Sequence, residues 1–440
     1  MRAKKVFVVT LLLIASLGMS SSQQAMASIT YSFTTAGASG RTGPLQSQVT
    51  TAYTGTTLAG VVSVNTQGIQ EWTVPFSGQY SITAVGAKGG GSNGGKGARI
   101  YGEFSLTQGT VLKILVGQRG SASFNTSAGG GGGSFVWKAS DTSTPLIAAG
   151  GGGGQGGAGR AAVDASITTA GTAGTTGATS NIAGAGGTNG NPGTTADNPS
   201  NSWSAAAGAG WKGNSTRALN YSGDNSNIAY SPLNGGMGGL KFANPIGALD
   251  CGDNSGGFGG GGGGGGSATA SPNSCGGMGE LGVGGGGGGY SGGGNGSNDS
   301  SSNRGAGGGG GSLNGGTNQS ATSGFNSLDG YVTIVYIVDP VATSVTLAIA
   351  GNVTAVSKST TIAITATVGA PGKITFSANG KRIPGCISKL VTNSIVCNWR
   401  PASRGAYSLT ATLTPSDLSS YLISNSVNFN LASNPRGNRR

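Results

Sequence analysis

The chain has 440 residues, of which 91 are glycine and none is histidine, and its 25 basic and 13 acidic residues give a net charge of +12. The absence of histidine excludes Ser-His-Asp and Cys-His nucleophiles and histidine-ligated metals, and the few scattered carboxylates argue against a glycosidase pair. Three positive charges lie in the first five residues and three in the last five, so the rest of the chain has a net charge of only +6. No basic stripe with interleaved aromatics indicates a nucleic-acid partner, and we expect a non-enzymatic protein without cofactor or metal.

Residues 1–27 have the features of an export signal. A basic start precedes a short apolar run over 6–17, and Ala25-Met26-Ala27 fits cleavage before Ser28. An uncleaved anchor helix is the alternative, but the apolar run is shorter than a comfortable membrane span. We therefore expect an extracellular protein, secreted or attached to the cell surface, with no integral membrane segment after cleavage.

The part of the chain before the long glycine tracts predicts strands. Residues 28–70 form a segment rich in Ser, Thr and Gly with β-like stretches at 29–34 and 58–64. Beyond it, apolar and polar residues alternate with the period of two that is typical of half-buried strands. The predicted strands lie at 79–85, 100–106, 111–116 and 135–138, with an apolar run at 145–149.

Glycine dominates the middle of the chain. Its longest runs lie at 129–133, 150–154, 259–266, 284–289 and 307–311, and a strongly β-prone strand follows at 330–338. Strands therefore bracket the glycine tracts, which indicates one glycine-rich domain over 71–338 with a large insertion. Glycine runs can form extended polyglycine type II helices with about three residues per turn, which bond to one another through the backbone. A disordered linker is the alternative.

The composition changes after Asp339-Pro340, where glycine becomes rarer and β-branched residues become more common. Six or seven short strands separated by turn signals predict a second all-β domain, an immunoglobulin-like sandwich over 341–432, followed by a basic tail at 433–440. The predicted strands lie at 345–350, 361–368, 373–378, 394–399, 406–412 and 426–431.

The four cysteines form two close pairs in the sequence, Cys251 with Cys275 and Cys386 with Cys397. An even count in an exported chain predicts two local disulfides, with free thiols as the alternative. We expect the bond between Cys386 and Cys397 to staple a hairpin and not to join the two sheets of the second domain.

Several ordered segments of the glycine-rich domain carry a resemblance to a known family. They read EWTVP at 71–75, SGQYSI at 77–82, GEF at 102–104, ILVGQ at 114–118, PLIAAGGG at 145–152, GGF at 256–258, YSGG at 290–293 and DGYVTI at 329–334. Together they resemble the glycine-rich extracellular domain of the anaplastic lymphoma kinase and leukocyte tyrosine kinase receptors. The resemblance implies a tumour-necrosis-factor-like β-sandwich (TNF-like) interrupted by packed polyglycine helices, in a domain that binds a protein ligand in those receptors. Their transmembrane and kinase parts have no counterpart in this sequence.

The C-terminal domain resembles the bacterial immunoglobulin-like domains that occur in arrays on surface proteins. The segments that carry this resemblance read PGKITF at 371–376, NGKRIPGC at 379–386, CNW at 397–399 and GAYSLTAT at 405–412. The resemblance implies a spacer or adhesion module and a bacterial surface protein.

One aromatic segment is a candidate partner-binding site. Trp203 and Trp211, with Lys212 and Tyr221, could present a stacking surface to a sugar or a protein; the alternative is that the rings seal the edge of the glycine bundle. Asp250, Asp253 and Asn254 offer oxygen atoms to calcium, but they lack the ligand spacing of known cages, and capping of polar loops is the better interpretation.

The sequence thus predicts a bacterial binding protein, such as an adhesin, that acts by shape. A rigid glycine-rich bundle would present the loops at about 190–255 and 267–281 to a surface protein or a glycan. A structural component of the cell envelope or extracellular matrix is the alternative.

Overall fold

The structure, a computed structural model, has regular secondary structure that is nearly all β-strand, and it forms two compact units, Ser28–Ile337 and the described residues that follow Ile337. It describes residues 28–122, 127–177, 182–196, 205–215, 228–240, 253–265, 282–297, 304–337, 341–349, 355–356, 360–403, 405–418, 421–424 and 427–433. The all-β class predicted from the sequence is confirmed.

The first unit contains eleven strands, one short α-helix and two single-turn 3-10 helices within its described residues. In chain order these are β1 (Ile29–Phe33), α1 (Gln46–Ala52), β2 (Val62–Thr66), β3 (Ile69–Thr73), β4 (Gly78–Val85), β5 (Gly97–Leu106), β6 (Val111–Leu115), β7 (Ser134–Lys138), β8 (Ile147–Ala149), the 3-10 helices Gly157–Gly159 and Pro232–Asn234, β9 (Leu313–Asn314), β10 (Thr317–Asn326) and β11 (Tyr331–Ile337).

These strands form two sheets that share an apolar core. One sheet has the order β1-β11-β4-β5-β10 and the other the order β2-β3-β6-β7-β8-β9. Alternate residues of both sheets enter one cluster of buried side chains, as the period of two requires. Its largest members are Phe33, Tyr80, Ile82 and Ile100 from the first sheet and Trp72, Leu112 and Ile114 from the second.

The second sheet is also buried on its other face. Val136 of β7 points into the shared core, whereas Phe135 and Trp137 on the same strand belong to a separate cluster with Trp211 and Phe258. Both partners come from the glycine-rich part of the chain. The glycine-rich segments therefore cover the face of this sheet that points away from the core.

The N-terminal segment predicted at 28–70 lies in the same compact unit as the strands that follow it. β1 pairs along its whole length with β11, with Tyr31 opposite Ile334, so the N-terminal segment completes the first sheet. The sequence analysis also missed α1, which is polar and buries only Val49, and β10, which is exposed on both faces for most of its length and lacks an apolar alternation.

The second unit is a smaller β-sandwich. Its elements are β12 (Val341–Ala342), β13 (Val345–Ile349), β14 (Ala355–Val356), β15 (Ile362–Val368), β16 (Gly372–Ala378), β17 (Lys381–Arg382), β18 (Lys389–Val391), β19 (Ser394–Trp399), β20 (Tyr407–Pro415), β21 (Tyr421–Leu422) and β22 (Val427–Ser433). The two main sheets have the orders β13-β15-β19 and β14-β22-β20-β16-β17, with β18 also paired to β16. Ile364, Phe376 and Leu413 lie at the centre of their shared core.

The predicted pair Cys386 and Cys397 forms a disulfide, but the expected hairpin staple is wrong. Cys397 lies on β19 in the three-stranded sheet, whereas the carbonyl of Cys386 accepts a hydrogen bond from the Phe376 N–H on β16 in the other sheet. The chain changes sheets between β18 and β19, and the disulfide therefore joins the two sheets.

Candidate functional site

The glycine-rich segments of the first unit are held together mainly by their backbones. The Gly151 N–H donates to the Gly288 carbonyl at 2.8 Å, and the Gly130 N–H donates to the Gly262 carbonyl at 2.9 Å. Each bond contributes only about 0.5–1.5 kcal/mol net, so the segments depend on many of them acting together. This arrangement satisfies buried N–H and carbonyl groups without a regular sheet.

The bonding pattern repeats every three residues. Gly151 and Gly154 donate to Gly288 and Gly285, and Gly310 and Gly307 donate to Gly151 and Gly154. Three residues per turn is the period that the predicted polyglycine type II helices would produce. The helix assignment itself stays a prediction.

The packed segments leave no space for side chains at many of their glycines. A Cβ atom placed on Gly262 would lie 2.3 Å from the Ala206 carbonyl oxygen and 2.5 Å from that of Ala207. On Gly130 it would lie 2.0 Å from the Gly286 carbonyl oxygen. The sequence needs glycine here because backbones of adjacent segments approach one another directly.

Trp211 lies inside the molecule. It is 1% exposed, its ring lies 5.5 Å from that of Trp137 between centroids, and its Nε1 donates to the Thr142 and Ser143 carbonyls at 3.2 Å. The neighbouring Lys212 is exposed. The ring of Trp211 therefore presents no stacking face to a partner, and its position matches the alternative interpretation of a ring that seals the glycine segments.

Most of the other predicted site residues lie outside the part of the chain that the structure describes. Trp203, Tyr221, Cys251 and Cys275 lie outside the described residues, as do large parts of the loops at 190–255 and 267–281. Asp250 also lies outside them. Asp253 accepts a hydrogen bond from the Ser255 N–H, and the buried Asn254 donates to the Gly265 carbonyl, which is a capping arrangement. In the described part of the chain, no group of three potential metal-ligating acidic or cysteine side chains occurs.

A pocket of about 490 Å³, which the sequence analysis did not identify, opens where β1 ends and β11 begins. Ser32 and Thr333 lie opposite each other on these two strands, and their strand neighbours Phe33 and Val332 point into the core. The pocket is therefore on the outer face of the first sheet. Its lining residues are Ser32, Phe33, Thr34, Thr35, Leu328, Asp329, Gly330, Tyr331 and Thr333.

One rim of the pocket is the connection between β10 and β11, and a buried asparagine fixes its shape. The Nδ2 atom of Asn326 lies 2.8 Å from the Gly86 carbonyl, 3.0 Å from that of Leu328 and 2.9 Å from that of Asp329. Its Oδ1 atom accepts the Leu328 N–H at 3.1 Å. The loop is also tied by the Gly330 N–H, which donates to the Gly117 carbonyl at 2.8 Å.

Two basic residues, Lys88 and Arg119, contact this loop. The Lys88 N–H donates to the Leu328 carbonyl, and the Arg119 N–H and guanidinium both contact the carboxylate of Asp329, at 2.7 and 3.5 Å. Burial lowers the pKa of Lys88, and the positive charges of Arg119 and Lys96 lower it further. Lys88 therefore lies within electrostatic range of both Arg119 and Lys96.

A short stretch of the chain is similar to a known receptor. The chain is 43% identical over 95 residues to the leukocyte tyrosine kinase receptor of Mus musculus, a stretch that covers 20% of this chain and 11% of the receptor. No family model matches the chain. The fold and the similarity together define an all-β, glycine-rich protein that is related in part to the extracellular region of a receptor.

In the described residues, no helix is long and apolar enough to cross a membrane. The disulfide between Cys386 and Cys397 and the receptor-like stretch are consistent with an extracellular location. The similarity to the receptor does not extend to the immunoglobulin-like assignment, which rests on the strand pattern of the second unit.

Proposed function

We propose that this protein is a non-enzymatic extracellular binding protein that recognises a surface protein or a glycan. The observation that carries the proposal is the partial similarity, over 95 residues, to a receptor. The network of backbone hydrogen bonds supports it, since a bonded lattice can hold loops in fixed positions and so lower the entropy lost on binding.

The proposal includes a bacterial origin and a role such as that of an adhesin. Its support is the resemblance of the second unit to the immunoglobulin-like spacers of bacterial surface proteins. In this view the glycine-rich unit contacts the partner, and the second unit with its disulfide acts as a spacer.

The absence of enzyme activity is also part of the proposal. The chain has no histidine to act as a general base. Two of its few carboxylates, Glu71 and Asp329, are already paired with Lys113 and Arg119. Nothing in the lining of the described pocket pairs an activated nucleophile with a base.

A structural role in the cell envelope or extracellular matrix is the second candidate. The burial of Trp211 favours it, because one of the four residues predicted to contact a partner instead packs inside the unit. A protein with this role would need rigidity but no partner of its own.

A binding experiment separates the two roles. The labelled full-length protein is titrated onto intact cells and onto a glycan array, with heat-denatured protein as the control. A binding protein gives saturable binding that unlabelled protein displaces. A structural protein gives no saturable binding and copurifies with envelope material, and that result would overturn the proposed function.

A further inference from the structure

The positive charge of the chain is concentrated in its C-terminal part. Residues 338–440 hold ten basic and two acidic residues, a net charge of +8, whereas residues 28–337 hold twelve basic and eleven acidic residues, a net charge of +1. Asp417 is the one acidic residue among the described residues of the second unit. An excess of one sign of charge destabilises a compact unit through self-repulsion, and an anionic partner would relieve that repulsion.

Four of these cations lie along one edge of the larger sheet of the second unit. Lys373 alternates along β16 with core residues, so its side chain is on the outer face of the sheet. Arg382 on β17 lies opposite the outward-facing Ser377 of β16 and shares that face. Lys381 and Lys389 lie beside them on the edge strands β17 and β18. All four cations are exposed, and none forms an ion pair with another described residue.

The backbone that carries these cations is fixed. Cys386, between β17 and β18, is joined by the disulfide to Cys397 on β19, and its carbonyl accepts the Phe376 N–H at 3.0 Å. The Ser388 N–H donates to Oγ1 of Thr375 on β16 at 3.1 Å. An ordered backbone lowers the entropy that is lost when its side chains bind a partner.

Hydroxyl groups occupy the outer face beside the cations. Thr375 and Ser377 on β16 lie opposite Thr412 and Thr410 on β20. All four alternate with buried residues, so they share the outer face with Lys373. A hydroxyl both donates and accepts hydrogen bonds, as the hydroxyls of a sugar do. The face therefore offers cations to acidic groups and hydroxyls to a sugar ring.

The spacing of the cations indicates an extended polymer. Lys373 and Ser377, the residue opposite Arg382, are four residues apart on one strand, a distance of about 13 Å. A single small anion would need cations that converge on one point. The aromatic residues of β16 and β20, Phe376 and Tyr407, pack in or against the core, so these strands offer no exposed ring on which a nucleic-acid base could stack.

An anionic bilayer is the alternative that the test must separate. Leu390 on β18 lies opposite Lys373 and is 75% exposed. The strength of membrane binding scales with the apolar area that enters the bilayer, and the hydroxyl groups of the face add none. The composition of the face therefore favours a polar polymer over a lipid surface.

We propose that this face, which is defined by Lys373, Thr375, Ser377 and Arg382 and is called the β16 face below, binds an acidic polysaccharide. The cations contact carboxylates along the polymer, and the hydroxyls bind sugar hydroxyls between them. The inference goes beyond the proposed function, in which the second unit is a spacer, because here the unit itself attaches the protein to a polymer.

The test titrates the full-length protein onto a fluorescent oligogalacturonate and follows the fluorescence anisotropy. Neutral dextran, duplex DNA and phosphatidylglycerol vesicles are the comparison ligands. We expect saturable binding of the oligogalacturonate that weakens as salt is added. We expect the three comparison ligands to bind about tenfold more weakly or less.

Matched variants test the charges. Lys373→Gln with Arg382→Gln removes two charges from the β16 face, whereas Lys96→Gln with Lys138→Gln removes the same charge from the first unit. We expect the first pair to weaken oligogalacturonate binding about tenfold and the second to leave it unchanged. Lys373→Arg with Arg382→Lys keeps the charges and should bind as the wild type does.

A second set of variants tests the hydroxyls. Thr410→Val with Thr412→Val removes two hydroxyls and keeps the branched shape of the side chains. Thr365→Val with Thr367→Val makes the same change on β15 in the other main sheet. We expect the first pair to weaken oligogalacturonate binding about two- to tenfold and the second to leave it unchanged.

Several outcomes would overturn the inference. They are full binding by Lys373→Gln with Arg382→Gln, an equal loss for the first-unit control, full binding by Thr410→Val with Thr412→Val, and binding of dextran, DNA or vesicles as tight as that of the oligogalacturonate. Cell binding, measured in parallel, keeps the proposed function separate. If Lys373→Gln with Arg382→Gln loses the polymer but still binds cells in a saturable manner, both the inference and the proposed function stand.

Discussion

The two faces of the second sheet of the first unit are covered in different ways. On the core face, Trp72 contacts Tyr31 at 4.6 Å between ring centroids and lies near Phe33 and Tyr80. On the opposite face, Trp137 has Trp211 as its ring neighbour, and much of the surrounding cover is glycine backbone. One face is therefore stabilised by side-chain burial, and the other by many backbone hydrogen bonds that require side chains to be absent.

We therefore expect opposite kinds of mutation to destabilise the two faces. The core face is sensitive to loss of volume, because a cavity lined by apolar groups stays empty. The glycine face is sensitive to gain of volume, because a Cβ atom meets a carbonyl oxygen. The predictions below test this contrast, from the largest expected effect to the smallest.

The largest effect is expected from Trp72→Ala. Trp72 and Trp137 are both 2% exposed and belong to the same sheet, so they form a matched pair. We expect Trp72→Ala to lower the free energy of unfolding by about 3–5 kcal/mol, as measured by urea denaturation. Trp137→Ala should lower the free energy of unfolding clearly less, because polar backbone groups nearby let water occupy the space. Equal losses for the two variants would contradict the contrast.

The next effect is expected from added volume on the glycine face. In Gly262→Val the new side chain meets the Ala206 carbonyl oxygen at 2.3 Å, so the segments must separate, at a cost of about 1–3 kcal/mol or more. Hydrogen exchange should show faster exchange at the amides of Gly130 and Gly286. Gly213→Val is the control, because a Cβ atom there meets only Pro192, at 3.6 Å. A soluble Gly262→Val protein with unchanged exchange would disprove the close packing.

A smaller effect is the loss of stability that we expect at alkaline pH from Tyr80 on the core face. Burial raises the pKa of Tyr80 to about 12, and its hydroxyl donates to the Phe76 carbonyl at 2.8 Å. In the unfolded chain the pKa is about 10, so the unfolded state loses its proton first as the pH rises. The stability from Tyr80 is thus complete below about pH 10 and is lost between about pH 10 and 12. Tyr80→Phe should reduce this decline, and its difference from wild type should be independent of pH below about pH 9.

Much of the fold follows from the sequence because the side-chain alternation is local. Tyr80, Ile82 and Ala84 alternate along β4, and the predicted strand matches the observed one within a residue. The polar β10 escaped prediction because the first seven of its ten residues are all exposed, so no alternation of apolar and polar residues is visible. The sheet-joining disulfide escaped because it depends on a change of sheet after β18 that no local pattern records.

Less of the candidate site than of the fold could be predicted from the sequence. The burial of Trp211 depends on Phe135 and Trp137, which are distant in the sequence and whose own pattern indicates only a strand. The pocket unites Ser32 with Thr333 through strand pairing. The nearest sequence signal was the DGYVTI segment at 329–334, which the resemblance identified as a closing strand and not as part of a pocket.

The smallest effect is expected from the ion pair between Glu71 and Lys113, which lies at the margin of the glycine face. Lys113 Nζ is 3.2 Å from Glu71 Oε1, and the two side chains are 31% and 16% exposed. Partly exposed pairs contribute about 0–1 kcal/mol, so a double-mutant cycle with Glu71→Gln and Lys113→Met should give a coupling energy within that range. The coupling should decrease as salt is added, because solvent ions screen exposed charges. A coupling energy above about 2 kcal/mol would mean that this ion pair also stabilises the glycine face. Backbone hydrogen bonding would then not be sufficient to explain the difference between the two faces.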